Sequence, residues 1–171
     1  MEDILLKVVA QVPNSGPCVT YIGKCGSSKF MKMIHNGIEY ANRQLIAEAY
    51  DVLKSVGKLS NKELQSVFLE WNKGELLSFL IKIIADIFGI KDDKGDGYLV
   101  DKVLDKTNMK GIGKWTVQQA AELSIEERVE AAKVFKSGGI GVFVADQPVD
   151  KQKLIDDVRK ALYAAKICSY A

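Results

Sequence analysis

The chain has 171 residues, is 47% hydrophobic and 27% charged, and carries a net charge of +2. That is enough for one domain with a sizeable core, and the interleaved lysines and acids exclude the basic footprint of a nucleic-acid binder. No apolar run approaches the roughly 20 residues needed to span a bilayer, and three cysteines with a single histidine show neither metal-site spacing nor a disulfide framework. In chain order, residues 3–12 predict a short amphipathic helix with Ile4, Leu5, Val8 and Val9 apolar. Pro13 to Pro17 is a turn cluster, and Cys18 to Ile22 is a strand candidate. A helical pattern then runs from about Ser28 to Ser55. Ser60-Asn61-Lys62-Glu63 reads as a capping box opening a helix to about Trp71. Glu75 to Phe88 is a strongly apolar helix, expected to be buried on most sides. Lys91 to Gly97 is a charged loop, and Leu99 to Leu104 and Gly113 to Leu123 are short helices. Ser124 caps a helix to about Phe135, Gly138 to Pro148 is a loop, and Val149 to Tyr170 is a last helix whose pattern is still in progress at Ala171. The amino terminus, Met1-Glu2-Asp3, has no signal or transit pattern, so a reducing, cytoplasmic setting is expected.

The long helix carries the chemistry. On a wheel of about 3.6 residues per turn, Lys32, Asn36, Glu39 and Arg43 form one polar stripe, with His35 and Tyr40 at its edges. Phe30, Ile34, Ile38, Ala41, Leu45 and Ala49 fall opposite and read as the core side. Taken alone, such a stripe is an ordinary solvated face. Gly37 argues for more, because glycine inside a helix costs about 1 kcal/mol relative to alanine and calls for close approach of a ligand or another backbone. Arg43, four residues after Glu39, is placed to pair with it.

The run Lys32-Met33-Ile34-His35-Asn36-Gly37-Ile38-Glu39-Tyr40 resembles the active-site helix of 6-phosphogluconate dehydrogenase. Trp71-Asn72-Lys73-Gly74-Glu75-Leu76 and Gly111-Ile112-Gly113-Lys114-Trp115-Thr116 resemble two further signatures of that family, in the same order, and the flanking residues read like the plant members. The resemblance implies a mainly α fold of the family's helical carboxy-terminal type over residues 27–171. Residues 1–26 would be a helix–strand remnant of a Rossmann-type domain. It also implies oxidative decarboxylation of 6-phosphogluconate to ribulose 5-phosphate. In that reaction a base takes a hydroxyl proton while hydride passes to NADP, carbon dioxide leaves, and an acid protonates the enediol. By resemblance Lys32 is the base and Glu39 the acid, and no metal is required. His35 and Asn36 would bind the sugar acid, and Tyr40, Lys114 and Thr116 the phosphate. Without the resemblance, Lys114 is a lysine in a glycine-rich turn, and Trp71 and Trp115 read as packing residues.

Some features depart from the family. Neither Gly111-Ile112-Gly113 nor Gly139-Ile140-Gly141 continues into a Gly-x-Gly-x-x-Gly fingerprint, so no dinucleotide site is expected in this chain. Relative to the family, the sequence between Leu123-Ser124 and Glu126-Glu127-Arg128 skips a segment that carries a phosphate-binding arginine. Lys29 and Arg43 stand where plant members carry a neutral residue, and Cys25 and Ser28 where they carry glycine. A reading from a different class follows: a non-catalytic relic or interaction module that keeps the helical scaffold, self-associating through surfaces the missing parts would cover. The two are separated by whether the natural chain extends in both directions.

Overall fold

In a computed structural model, residues 2–13, 15–104, 106, 111–122 and 148–170 are described. The expected helix from Ser124 and nearly all of the loop after it lie outside them. Helix α1, Glu2–Val8, has its acids in the first turn and Lys7 in the last, as the helix dipole favours. It stops short of the expected residue 12 because the side-chain amide of Gln11 donates to the carbonyls of Leu6 and Val9. The chain then enters a two-residue antiparallel pair, β1 (Gln11–Val12) with β2 (Gly16–Pro17). The strand expected at Cys18–Ile22 does not form. Cys18 gives its amide proton to Ala10, and the residues after it have no partner strand among the described residues; backbone without a ladder is not a strand, whatever its propensity.

Helix α2, Ser27–Asp51, has 25 residues and spans roughly 37 Å at 1.5 Å per residue. It passes directly into a π turn, Val52–Val56, closed by Gly57 N–H to the Val52 carbonyl at 3.1 Å. A Cβ on Gly57 would lie 2.7 Å from both the Leu53 carbonyl oxygen and a Leu59 methyl, so this tight exit needs glycine. The buried face of α2 is Asn42, Ile46 and Ala49, continued by Leu53. This corrects the predicted core side in part: Ala49 is buried and Ile34, Ile38 and Leu45 are half-buried. Phe30 and Ala41 are exposed, because the later helices pack on the carboxy-terminal half of α2 and only one helix covers its amino-terminal half.

Helix α3, Asn61–Trp71, begins as predicted. Ser60 accepts from the Glu63 amide at 3.3 Å, and Glu63 accepts from the Ser60 amide at 2.7 Å. Helix α4, Phe79–Gly89, starts four residues later than expected, because Ser78 is its cap and Asn72 holds the Ser78 amide from the preceding turn. Nor is it buried on most sides. Ile81, Ala85 and Phe88 face inward, whereas Phe79 is 75% exposed. Phe68 sits between Trp71 and Phe88, with ring centroids 5.0 and 5.6 Å away, and Tyr50 stacks on Phe88. Trp71 is therefore a packing residue, as expected.

The loop after α4 is closed by a bridge between Lys91 and Tyr98, with the lysine ammonium 3.6 Å from the ring centroid. A 3-10 turn, Leu99–Lys102, follows. Asn61 ties it to the π turn, accepting from Lys54 and donating to Asp101. Helix α5 is Ile112–Glu122 and helix α6 is Lys151–Tyr170, the latter capped by Asp150 and anchored in the core by Leu162. No helix among the described residues is long and apolar enough to cross a membrane.

The capping box also links α6 to α3, since Lys151 reaches Glu63 at 3.2 Å. The Ser60 amide, the Ser60 hydroxyl and then Lys151 together hold the Glu63 carboxyl down at about 2, from an ordinary 4.5. The folded value lies below the unfolded one, so the stabilisation is complete above pH 4.5 and is lost as pH falls towards about 2. The melting temperature of Glu63→Gln should lie below wild type at neutral pH. The gap should close over that window in paired thermal melts, and a gap constant with pH would refute the assignment.

Candidate active site

The polar stripe of α2 forms a crest between two grooves. On one side α5 lies against the amino-terminal half of the helix. The contact is close. Thr116 Oγ1 donates to the Met33 carbonyl at 2.9 Å and also lies 3.3 Å from the Ile112 carbonyl. A Cβ on Gly37 would stand 2.5–2.6 Å from three Thr116 side-chain atoms. One turn along, a Cβ on Gly113 would lie 2.6 Å from the Tyr40 ring. Gly37 is thus in the helix for close approach of another element, as its cost suggested. The seam between α2 and α5 opens into a groove lined by Lys29, Lys32, Met33, Asn36, Ile112 and Trp115. Trp115 is 59% exposed and walls this groove, which corrects the expectation that it is a packing residue.

On the other side, α2, the start of α4 and the end of α6 enclose a second cavity, with His35 and Glu39 at its edge. Arg43 donates to Glu39 at 2.5 Å, the expected pair, and His35 Nδ1 lies 3.9 Å from the same carboxylate. The structure therefore brings Lys32 and Asn36 into one groove and His35 and Glu39 into the other. Tyr40 and Thr116 sit in the seam itself, their ring face and hydroxyl engaged by α5 and α2. Lys114 is exposed on α5 and lines neither groove.

Two contributors to the second cavity escaped the sequence. Asn42 was detectable, because it follows His35 and Glu39 at helical spacing on one edge of the stripe. Lys166 of α6 was not, since nothing in a local pattern brings α6 against α2. Among the described residues no group of three potential ligands could hold a metal ion.

The family described as 6-phosphogluconate dehydrogenase, C-terminal domain, matches residues 28–126. The chain is 72% identical to 6-phosphogluconate dehydrogenase, decarboxylating 1, of Spinacia oleracea. It is 70% identical to 6-phosphogluconate dehydrogenase, decarboxylating 2, of Arabidopsis thaliana. Both alignments take in 100% of this chain and 39% of the relative, so the chain spans about two fifths of the length of the curated relatives it matches. They run over 189 positions against 171 residues, so at least 18 positions of the relatives have no counterpart here. Among solved structures, a similar chain is Plasmodium falciparum 6-phosphogluconate dehydrogenase, described in its apo form, with NADP+ and with 6-phosphogluconate. Its TM-score is 0.77 at 41% identity, over 99% of this chain and 39% of that one.

Proposed function

This chain belongs to the 6-phosphogluconate dehydrogenase family, and from that we propose that it is a substrate-handling helical part of an enzyme that oxidatively decarboxylates 6-phosphogluconate with NADP. The observation that carries the proposal is the crest of α2. Lys32 and Glu39 are two turns apart, roughly 10 Å along the axis, and each opens into its own groove. A polyol acid lying along the crest would meet an amine at one carbon and a carboxyl at another. Lys32 is the proposed base and must be neutral to take the hydroxyl proton. Glu39 is the proposed acid, and it must leave Arg43 before it can deliver a proton to carbon. Asn36 and His35 are within the same turns to bind the sugar hydroxyls and carboxylate. Lys114, with Tyr40 and Thr116, is proposed for the phosphate; the Thr116 hydroxyl has to turn from the Met33 carbonyl to donate there.

NADP belongs to this proposal at the level of the whole enzyme. The described residues do not fit a dinucleotide. A Rossmann crevice needs parallel strands leading into a glycine-rich helix start, whereas the only sheet among the described residues is one antiparallel pair of two-residue strands. The test is calorimetry on the 171-residue chain. 6-Phosphogluconate should bind in about the millimolar range, since lysine and amide donors remain but several charged contacts do not. Lys32→Ala and Lys114→Ala should each weaken it, and NADP+ should give no heat. Micromolar NADP+ binding, or 6-phosphogluconate binding indifferent to both substitutions, would overturn the proposal.

A second reading, the interaction module, is favoured by apolar side chains left in water, among them Leu77, Phe79, Leu104 and Val117, each at least 67% exposed. Patches beyond a few hundred Å2 favour association. Sedimentation should show dimers or larger species that bind a hydrophobic dye, and a monodisperse monomer without dye binding would count against it.

A further inference from the structure

The cavity between α2, α4 and α6 has a feature that the proposed dehydrogenase chemistry does not use. Asn42 is only 3% exposed. Its Oδ1 accepts from Ser169 at 3.3 Å, yet its buried Nδ2 has no hydrogen-bond partner. A buried donor without an acceptor costs roughly 1–3 kcal/mol, so it calls for one. The same cavity is lined by Lys166 and Tyr170. Neither the Lys166 ammonium nor the Tyr170 phenol has a hydrogen-bond or ion-pair partner among the described residues. One buried unmatched donor, Asn42, thus lines the same space as a half-buried lysine and a tyrosine at its solvent side, 60% exposed. The carboxylate at its edge, Glu39, is already held by Arg43. Beneath them the floor is apolar, formed by Ile46, Leu76 and Leu162, all less than 10% exposed. The cavity volume is ≈ 240 Å³, below the roughly 300–1,000 Å3 of sites for drug-sized ligands.

We infer that this cavity binds a small organic carboxylate with an apolar body. The carboxylate takes the Asn42 amide proton, the Lys166 ammonium and the Tyr170 hydroxyl, while the body rests on Ile46, Leu76 and Leu162. A sugar phosphate is a poor match for this floor, which would strand its hydroxyls without partners. An apolar carboxylate satisfies both halves of the cavity, and a charge-assisted contact to lysine gives it preference over a neutral analogue.

Fluorine NMR of para-fluorophenylacetate with the full chain tests this, with the neutral amide of the same acid as the comparison. The acid should bind, and the amide should bind roughly tenfold more weakly or worse, as should the acid to Lys166→Met. Circular dichroism would establish that Lys166→Met folds like wild type. On binding, the side-chain amide resonance of Asn42 should shift. Lys32→Ala should leave the acid bound, because Lys32 lies in the other groove, so this result is independent of the 6-phosphogluconate test. Equal affinity for acid and amide, unchanged binding to a folded Lys166→Met, or loss of binding in Lys32→Ala would each overturn the inference.

Discussion

Phe68→Ala should destabilise the chain by about 3–5 kcal/mol, the range for removing a buried aromatic side chain. Phe68 has no solvent exposure and lies against both Trp71 and Phe88, so truncation removes two ring contacts and leaves a void between α3 and α4. Leu64 and Ile81 of the same core cluster are themselves fully buried, which leaves little room for the core to relax. For a domain of this size each kcal/mol shifts the melting temperature by about 2–4 °C, giving a drop of roughly 6–20 °C. Leu69, the next residue, is 44% exposed, and Leu69→Ala should move the midpoint by little. Thermal melts followed by far-ultraviolet circular dichroism would check both. Equal shifts for the two would mean that the core is not centred on Phe68.

Gly37→Ala should act on a different unit. On helix propensity alone, alanine would stabilise α2 by about 1 kcal/mol. Here the new methyl would meet Thr116 Cβ, Cγ2 and Oγ1 at 2.5–2.6 Å. The Cβ atom is among the three, so rotating the threonine side chain cannot relieve the clash, and α5 has to move as a body. Overpacking of this kind costs about 1–3 kcal/mol. The expected outcome is a chain whose α3–α4 core melts nearly as in wild type but whose α5 amides lose hydrogen-exchange protection, because α5 packs principally on α2. Trp115 emission should change with it, and weak 6-phosphogluconate binding should fall if Lys114 and Thr116, on α5, hold the phosphate as proposed. Unaltered protection across Ile112–Glu122 would contradict this. Gly37→Ala with Thr116→Gly should restore part of the protection, since all three obstructing atoms, Cβ, Cγ2 and Oγ1, are then gone.

The contrast between these sites shows what was legible before folding. The Ser60 capping box and the Arg43–Glu39 pair were readable because each spans three or four residues and is decided locally. The need for close approach at Gly37 was readable too, but its partner was not. Thr116 bonds Met33 across 83 residues of sequence, and no periodic pattern encodes that meeting. The start of α4 was misplaced for a related reason. Residues 75–78 look helical by composition, while Asn72 and Ser78 hold them in a turn through side-chain bonds. On α2, the wheel located an apolar face, but which apolar positions become buried depended on where α3, α4 and α6 arrive. The family resemblance supplied roles for Lys32 and Glu39. It gave no warning that they open into separate grooves, or that the Thr116 hydroxyl is already engaged.

The Met33 carbonyl has a spectroscopic consequence. Within α2 it accepts the Gly37 amide by ordinary helical geometry, and across the seam it accepts Thr116 Oγ1 as well. A carbonyl with two donors has a weaker C=O bond and vibrates at lower frequency than its neighbours in the same helix. An isotope label on that one carbonyl would separate its amide I band from the rest. Its position would then report, in real time and without a dye, whether α5 is docked.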